Sequence, residues 1–236
     1  NATRANSPWR APRTWRTKAK KMAVAAEELG YEYIGITDHS ISLKIANGLD
    51  LRRLAKQAEA VKKTATMIKK PRILTSSEVD IKPDGTMDFP DEVLERLDGV
   101  IASVHTAFKQ DEKTMTRRIV RAMENRHVDI IGHPTGRLIG EREAYAVDMR
   151  EIIRAAADTG TALELNAFPA RLDLNDAYCR MAKEKGVMVC INTDSHSADQ
   201  FGWMSYGVTT ARRGWLEKKD VLNCLSCNDL VKWISP

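Results

Sequence analysis

The chain has 236 residues, 43% hydrophobic and 29% charged, the composition of an ordinary globular protein, and one domain suffices at this length. No apolar run approaches the 18 residues that a membrane span needs. The net charge of +5 is lodged at the start: residues 1–21 hold Arg4, Arg10, Arg13, Arg16, Lys18, Lys20 and Lys21 with no acid, which leaves 30 basic against 32 acidic side chains elsewhere.

That first stretch, "NATRANSPWRAPRTWRTKAKK", has no apolar period and contains two Pro and two Trp. Residues 1–23 are therefore expected to be an atypical basic tail, disordered or foreign to the fold, and residues 24–236 a single domain. Such a tail can contact phosphates non-specifically, but a solvated segment is the simpler expectation. The body's own charge neither favours nor excludes a nucleic-acid substrate. The chain start lacks the apolar core of a signal peptide. The four cysteines include one C-x-x-C, Cys224 and Cys227, without the second pair of a zinc ribbon. A reduced, cytoplasmic protein is expected.

From there strands and helices alternate. "YEYIGITDH" (31–39) reads as a strand and 49–70 as a helix free of Pro and Gly. "RILTSSEVDI" (72–81) is a strand followed by the turn "KPDGT". A short helix (89–97), a strand (99–105), a helix (111–125) and a strand (128–134) follow. Next come a helix over 148–160 stopped by Gly160, a strand (161–168), and a helix over 174–186 with a similar Gly186 stop. The strand that begins at Val187 runs into "NTDSH", and more helix closes the chain, including 229–234. The apolar strand runs point to a parallel sheet covered on both faces, hence an α/β sheet or barrel.

Each strand ends in a residue that can bind something. These are Asp38 and His39, then Glu78, His105, His133, Asn166 with Arg171 just beyond, and finally Asp194 and His196. Four of the five histidines fall at these ends, and only His127 does not. In a parallel barrel the strand C-termini share one face, where active sites are built. Imidazoles and carboxylates gathered there are donors for Zn²⁺, Mn²⁺ or Fe²⁺. Residues 194 and 196 point the same way by strand alternation. Asp38 fits a ligand or a group orienting one equally well; Asn166 fits a ligand, a substrate contact or a strand-end cap. Clusters of this kind suit multi-metal hydrolysis by metal-activated water, with phosphoesters gaining most. Arg171, Arg137 and Arg142 stand on loops from which phosphate is within reach, and a solvated charge is the bland alternative for each.

The segments "ITDHS", "SEVDI", "SVHTAF", "GHPTGRLIG", "ELNAFPARLDLND" and "NTDSHS" resemble the polymerase and histidinol phosphatase (PHP) family. The resemblance runs from about 24 to 234 and is strongest to the C-terminal PHP domain of bacterial X-family DNA polymerases. It implies a distorted (β/α)7 TIM-like barrel, a trinuclear metal site and a manganese-dependent 3′-5′ exonuclease, with Zn²⁺ or Fe²⁺ as other metals. By position, Glu78 matches the bridging carboxylate, His105 and His133 its partners on one metal, Asp194 a ligand of the second, and His39 and His196 ligands of the third. Arg171 matches a basic residue on the substrate side. The implied partners are DNA 3′ ends in repair, and upstream polymerase domains in a full-length protein. The family's opening strand with His-x-His is absent, since no histidine precedes His39. Residues 1 to about 21 are accordingly expected to derive from a fragment, a shifted frame or a wrong start. Two alternatives to the exonuclease stand: a small-molecule phosphatase of the histidinol-phosphatase type, and a catalytically impaired structural module.

Overall fold

The computed structural model describes residues 15–234. Six strands form one parallel sheet in chain order: β1 (Tyr33–His39), β2 (Arg72–Asp80), β3 (Gly99–Ser103), β4 (Ile130–Ile131), β5 (Ala162–Asn166) and β6 (Val189–Asn192). The sheet curls into an open half-barrel, the expected α/β TIM-like architecture short of one strand. β2 is buried along both faces from Ile73 to Asp80, as a strand sandwiched between a barrel interior and outer helices must be.

The helices lie outside: α1 (Trp15–Glu28), α2 (Leu51–Ala65), α3 (Asp91–Leu94), α4 (Glu112–Met123), α5 (Met149–Thr159), α6 (Asp176–Glu184), α7 (Met204–Arg213) and α8 (Cys227–Ile234). Their starts are written in the sequence. Asp50, Asp111, Asp148 and Asn175 each accept hydrogen bonds from backbone N–H groups of the first turn, which relieves unpaired donors there. Gly160 ends α5 in the left-handed conformation, φ 76°, where a Cβ is strained. In α2, Leu54, Gln57, Val61 and Thr64 make one buried stripe at helical spacing.

Residues 15–23 depart from the expected disordered tail. They form the first turns of α1, whose Ala19 and Ala23 are buried against Val61 of α2 and Ile73 of β2. The positive charges of Arg16, Lys20 and Lys21 sit on the exposed face. The small residues on the other face let the helix approach closely, which composition alone concealed. The remainder of the expected tail, residues 1–14, lies outside the described residues. β4 is also far shorter than the expected 128–134. After Ile131 comes Gly132, where any Cβ would collide with the Ser103 hydroxyl, and then His133 at φ 30°, so the chain leaves the sheet.

Among the described residues β1 and β6 do not pair with each other, so the half-barrel has two edges. At one end the C-terminal segment spans the gap. The Tyr33 hydroxyl donates to Leu225 O at 3.2 Å. Asn223 treats β6 as a neighbouring strand would: its Oδ1 accepts from Ile191 N at 2.6 Å and its Nδ2 donates to Ile191 O at 2.8 Å. Between the edges lies a cavity of about 1380 Å³ walled by β1 and β6 and reaching Glu78 and Asp194.

Candidate metal centre

Glu78 lies near the C-terminal end of β2 and turns into the half-barrel. Three imidazoles meet its carboxylate. His39 Nδ1 lies 3.3 Å from Oε2, His105 Nε2 3.2 Å from Oε1, and His133 Nε2 3.0 Å from Oε1. They come from the ends of β1, β3 and β4, so parallel pairing alone brings together residues up to 94 positions apart (His39 to His133). The rings pack edge to face, His39 with His105 at 5.1 Å and His105 with His133 at 5.0 Å.

The electrostatics follow. Burial works against the Glu78 anion, but His39 and His105 hold its carboxyl well below the usual range. Burial likewise opposes charge on His105, yet Glu78 and Asp80 raise it to about 9. His133 goes the other way: burial, then the Arg171 guanidinium, lower it to about 4. The same carboxylate oxygen thus faces one imidazole that holds its proton more strongly than usual and one that holds it less.

The donor set fits a divalent cation. One donor atom each from His39, Glu78 and His105 lies within 4.8 Å of the others. Among the described residues, the buried Nδ1 of His133 makes no hydrogen bond, and that of His39 makes none beyond its 3.3 Å ion-pair contact with Glu78. Nitrogen and carboxylate donors in this combination suit Zn²⁺, Mn²⁺ or Fe²⁺ and do not choose among them.

The other expected site residues stand apart from that group. Asp194, at φ 50° beyond β6, accepts from Asn166 Nδ2 at 3.2 Å and has Arg171 Nε 3.9 Å from its Oδ2. His196 lies exposed on the following loop with Nδ1 2.9 Å from Asp194 O. Asp38 takes a hydrogen bond from Gln57 of α2 at 3.0 Å. Asn166 proves to be a connector, reaching Glu164 at 3.3 Å as well as Asp194. Arg137 and Arg142 brace loops: Arg137 donates to the carbonyls of Arg171 and Leu172, and Arg142 donates twice to Gly136 O while lying 4.2 Å over the Phe108 ring. All four cysteines are free thiols.

Three carboxylates escaped the sequence reading. Asp80 Oδ1 lies 2.5 Å from His105 Nδ1, and its other oxygen accepts from the Ser42 hydroxyl at 2.7 Å. Glu164, 4% exposed, is raised to about 8 by burial and by the nearby Glu78 and Asp194. Asp173, fully buried, collects the N–H groups of Thr135 and Gly136 at 2.9 Å each. The signal for the first two was present: Asp80 is two residues from Glu78, and Glu164 two from Asn166, so strand alternation puts each pair on one face.

The PHP domain model of protein families matches residues 16–168. The chain belongs to the PHP family. The match begins inside the segment expected to be a foreign tail, in agreement with the packing of α1. Over 224 residues, 94% of its length, this PHP chain is 48% identical to the DNA polymerase/3′-5′ exonuclease PolX of Bacillus subtilis, of which it spans 39%. It is 28% identical over 212 residues to a "probable phosphatase" of Thermoanaerobacter sp., covering 84% of this chain and 80% of that protein. A crystal structure of histidinol phosphate phosphatase from Lactococcus lactis, solved with zinc, L-histidinol and phosphate, shares the fold. The TM-score is 0.60 at 16% identity, over 88% of this PHP chain and 89% of the other.

Proposed function

We propose that this PHP domain is a metal-dependent phosphoesterase that removes nucleotides from DNA 3′ ends. The observation that carries the reading is the Glu78 carboxylate held among His39, His105 and His133, with Asp80 behind His105. The 48% identity to a protein named as a polymerase and 3′-5′ exonuclease supports the DNA substrate. Mn²⁺ is the favoured metal, with Zn²⁺ or Fe²⁺ also compatible with the donors. In this reading the domain works beside polymerase domains of a longer polypeptide.

His39, Glu78, His105 and His133 would hold the first cation, and Asp194 and His196 would contribute to others. Bound cations supply an activated water and neutralise charge on phosphoryl oxygens. The protein's residues do the rest. Asp80 accepts from His105 Nδ1, which fixes the ring and leaves Nε2 aimed at the Glu78 side. Arg171, half-buried beside Asp194, would hold a non-bridging phosphate oxygen. Asn166 orients the Asp194 carboxylate.

A second reading, a small-molecule phosphomonoesterase, is favoured by the relatives named as phosphatases. Comparing Mn²⁺-dependent release of nucleotides from 3′-recessed DNA with release of phosphate from p-nitrophenyl phosphate separates the two. The proposal requires turnover of DNA. Turnover of the small ester alone establishes the second reading. Activity on neither points to an impaired structural module, a reading supported by β1 and β6 not pairing with each other among the described residues.

A further inference from the structure

Two of the residues proposed as ligands, His133 and Asp194, adopt left-handed backbone conformations, φ 30° and 50°. Non-glycine residues occupy that region at a cost, and surrounding contacts must fix them there. One side chain connects both. Glu164, in the middle of β5 and 4% exposed, accepts at Oε2 from His133 N at 2.7 Å and from Asn166 Nδ2 at 3.3 Å. The same Asn166 Nδ2 lies 3.2 Å from Asp194 Oδ2. The other oxygen of Glu164, Oε1, accepts from Asn192 Nδ2 of β6 at 2.8 Å. A single carboxylate therefore ties the end of β4, its own strand and β6 together beneath the site.

We infer that Glu164 is a positioning residue that sets the placement of His133 against Asp194 and so couples the two sides of the metal centre. The inference rests on the proposed metal-dependent reading for its functional consequence, while its structural content stands without a cation. β4 has only two paired residues, too short a strand to hold His133 through the sheet ladder. The Glu164 hydrogen bond to the His133 amide takes the place of that ladder. Asn166 extends the hold to Asp194, on a loop where β6 pairing has already ended at Asn192. The His133 backbone and the Asp194 carboxylate then both depend on an acceptor at position 164 and not merely on filled volume.

The test compares wild type, Glu164→Met and Glu164→Gln. Methionine keeps the length of the side chain and removes the acceptor. Glutamine keeps an acceptor facing His133 and Asn166 once the Asn192 amide turns over to receive its NH₂. Two readouts are taken: Mn²⁺ affinity by calorimetric titration, and hydrogen exchange of the His133 amide in metal-free protein. The inference requires E164M to lose about 10- to 100-fold in Mn²⁺ affinity and to exchange the His133 amide at least about tenfold faster, with E164Q restoring most of both. E164M behaving as wild type, or E164Q as impaired as E164M, overturns it. If wild type itself binds no Mn²⁺, the metal-dependent reading fails, and the exchange of the His133 amide alone decides the inference.

Discussion

Asp80 Oδ1 stands 2.5 Å from His105 Nδ1, on the opposite side of the imidazole from Glu78. Ring nitrogens that face a carboxylate at one end and a metal site at the other are held in tautomer and angle by that carboxylate. Asp80→Ala is expected to lower Mn²⁺ affinity by about 10- to 100-fold in a protein that still folds. Metal titration alongside circular dichroism checks this, and an unchanged affinity would show that the contact is incidental.

Asp129 gives the fold a measurable pH dependence away from the metal centre. Burial raises its carboxyl from 3.8 to about 7, against the opposing hydrogen bond from Val100 N. Between those values the native chain keeps a proton that the unfolded chain has released. The stability contributed by this group is therefore present at low pH and lost as pH rises toward about 7. Asp129→Asn should flatten the wild-type decline in urea midpoint across that window. Parallel curves for the two proteins would remove Asp129 as the cause.

The packing of α1 makes a prediction about where the folded domain starts. Ala23 is fully buried against α2 and the sheet. Ala23→Asp adds volume and an unpaired polar group there, and should destabilise the domain by at least about 2 kcal/mol. Chemical denaturation reads the effect. A variant as stable as wild type would place α1 outside the cooperative unit.

Asn223 closes part of the edge of β6 with its side-chain amide. Asn223→Ala leaves the N–H and C=O of Ile191 without these partners, at a cost of about 1–3 kcal/mol. Faster exchange of the Ile191 amide should accompany the loss. Unaltered exchange would mean that another group takes over the edge.

The alternation of strands and helices was legible in the sequence because apolar runs, the turn "KPDGT" and the Gly160 and Gly186 stops act locally. The gathering of His39, Glu78, His105 and His133 followed from one topological rule, that parallel strands end on one face. Three features were not legible. α1 hides an amphipathic face, Ala19, Met22, Ala23 and Ala26, inside a run whose charges dominate its composition. The brevity of β4 depends on the crowding of Gly132 against Ser103, a contact between strands. Asp80 and Glu164 differ from any other strand carboxylate only through partners on other strands, although their spacing from Glu78 and Asn166 already set their direction.

The dependence of hydrolysis on the Glu78 site is measured most directly by Mn²⁺-dependent release of nucleotides from a 3′-recessed duplex by this chain and by Glu78→Ala, with metal binding followed in both. Turnover and Mn²⁺ binding are expected in the parent, and loss of both in the variant, since Glu78 is the carboxylate that all three imidazoles meet. Nucleotide release that survives in Glu78→Ala would contradict it, because hydrolysis would then not depend on the site assembled around Glu78.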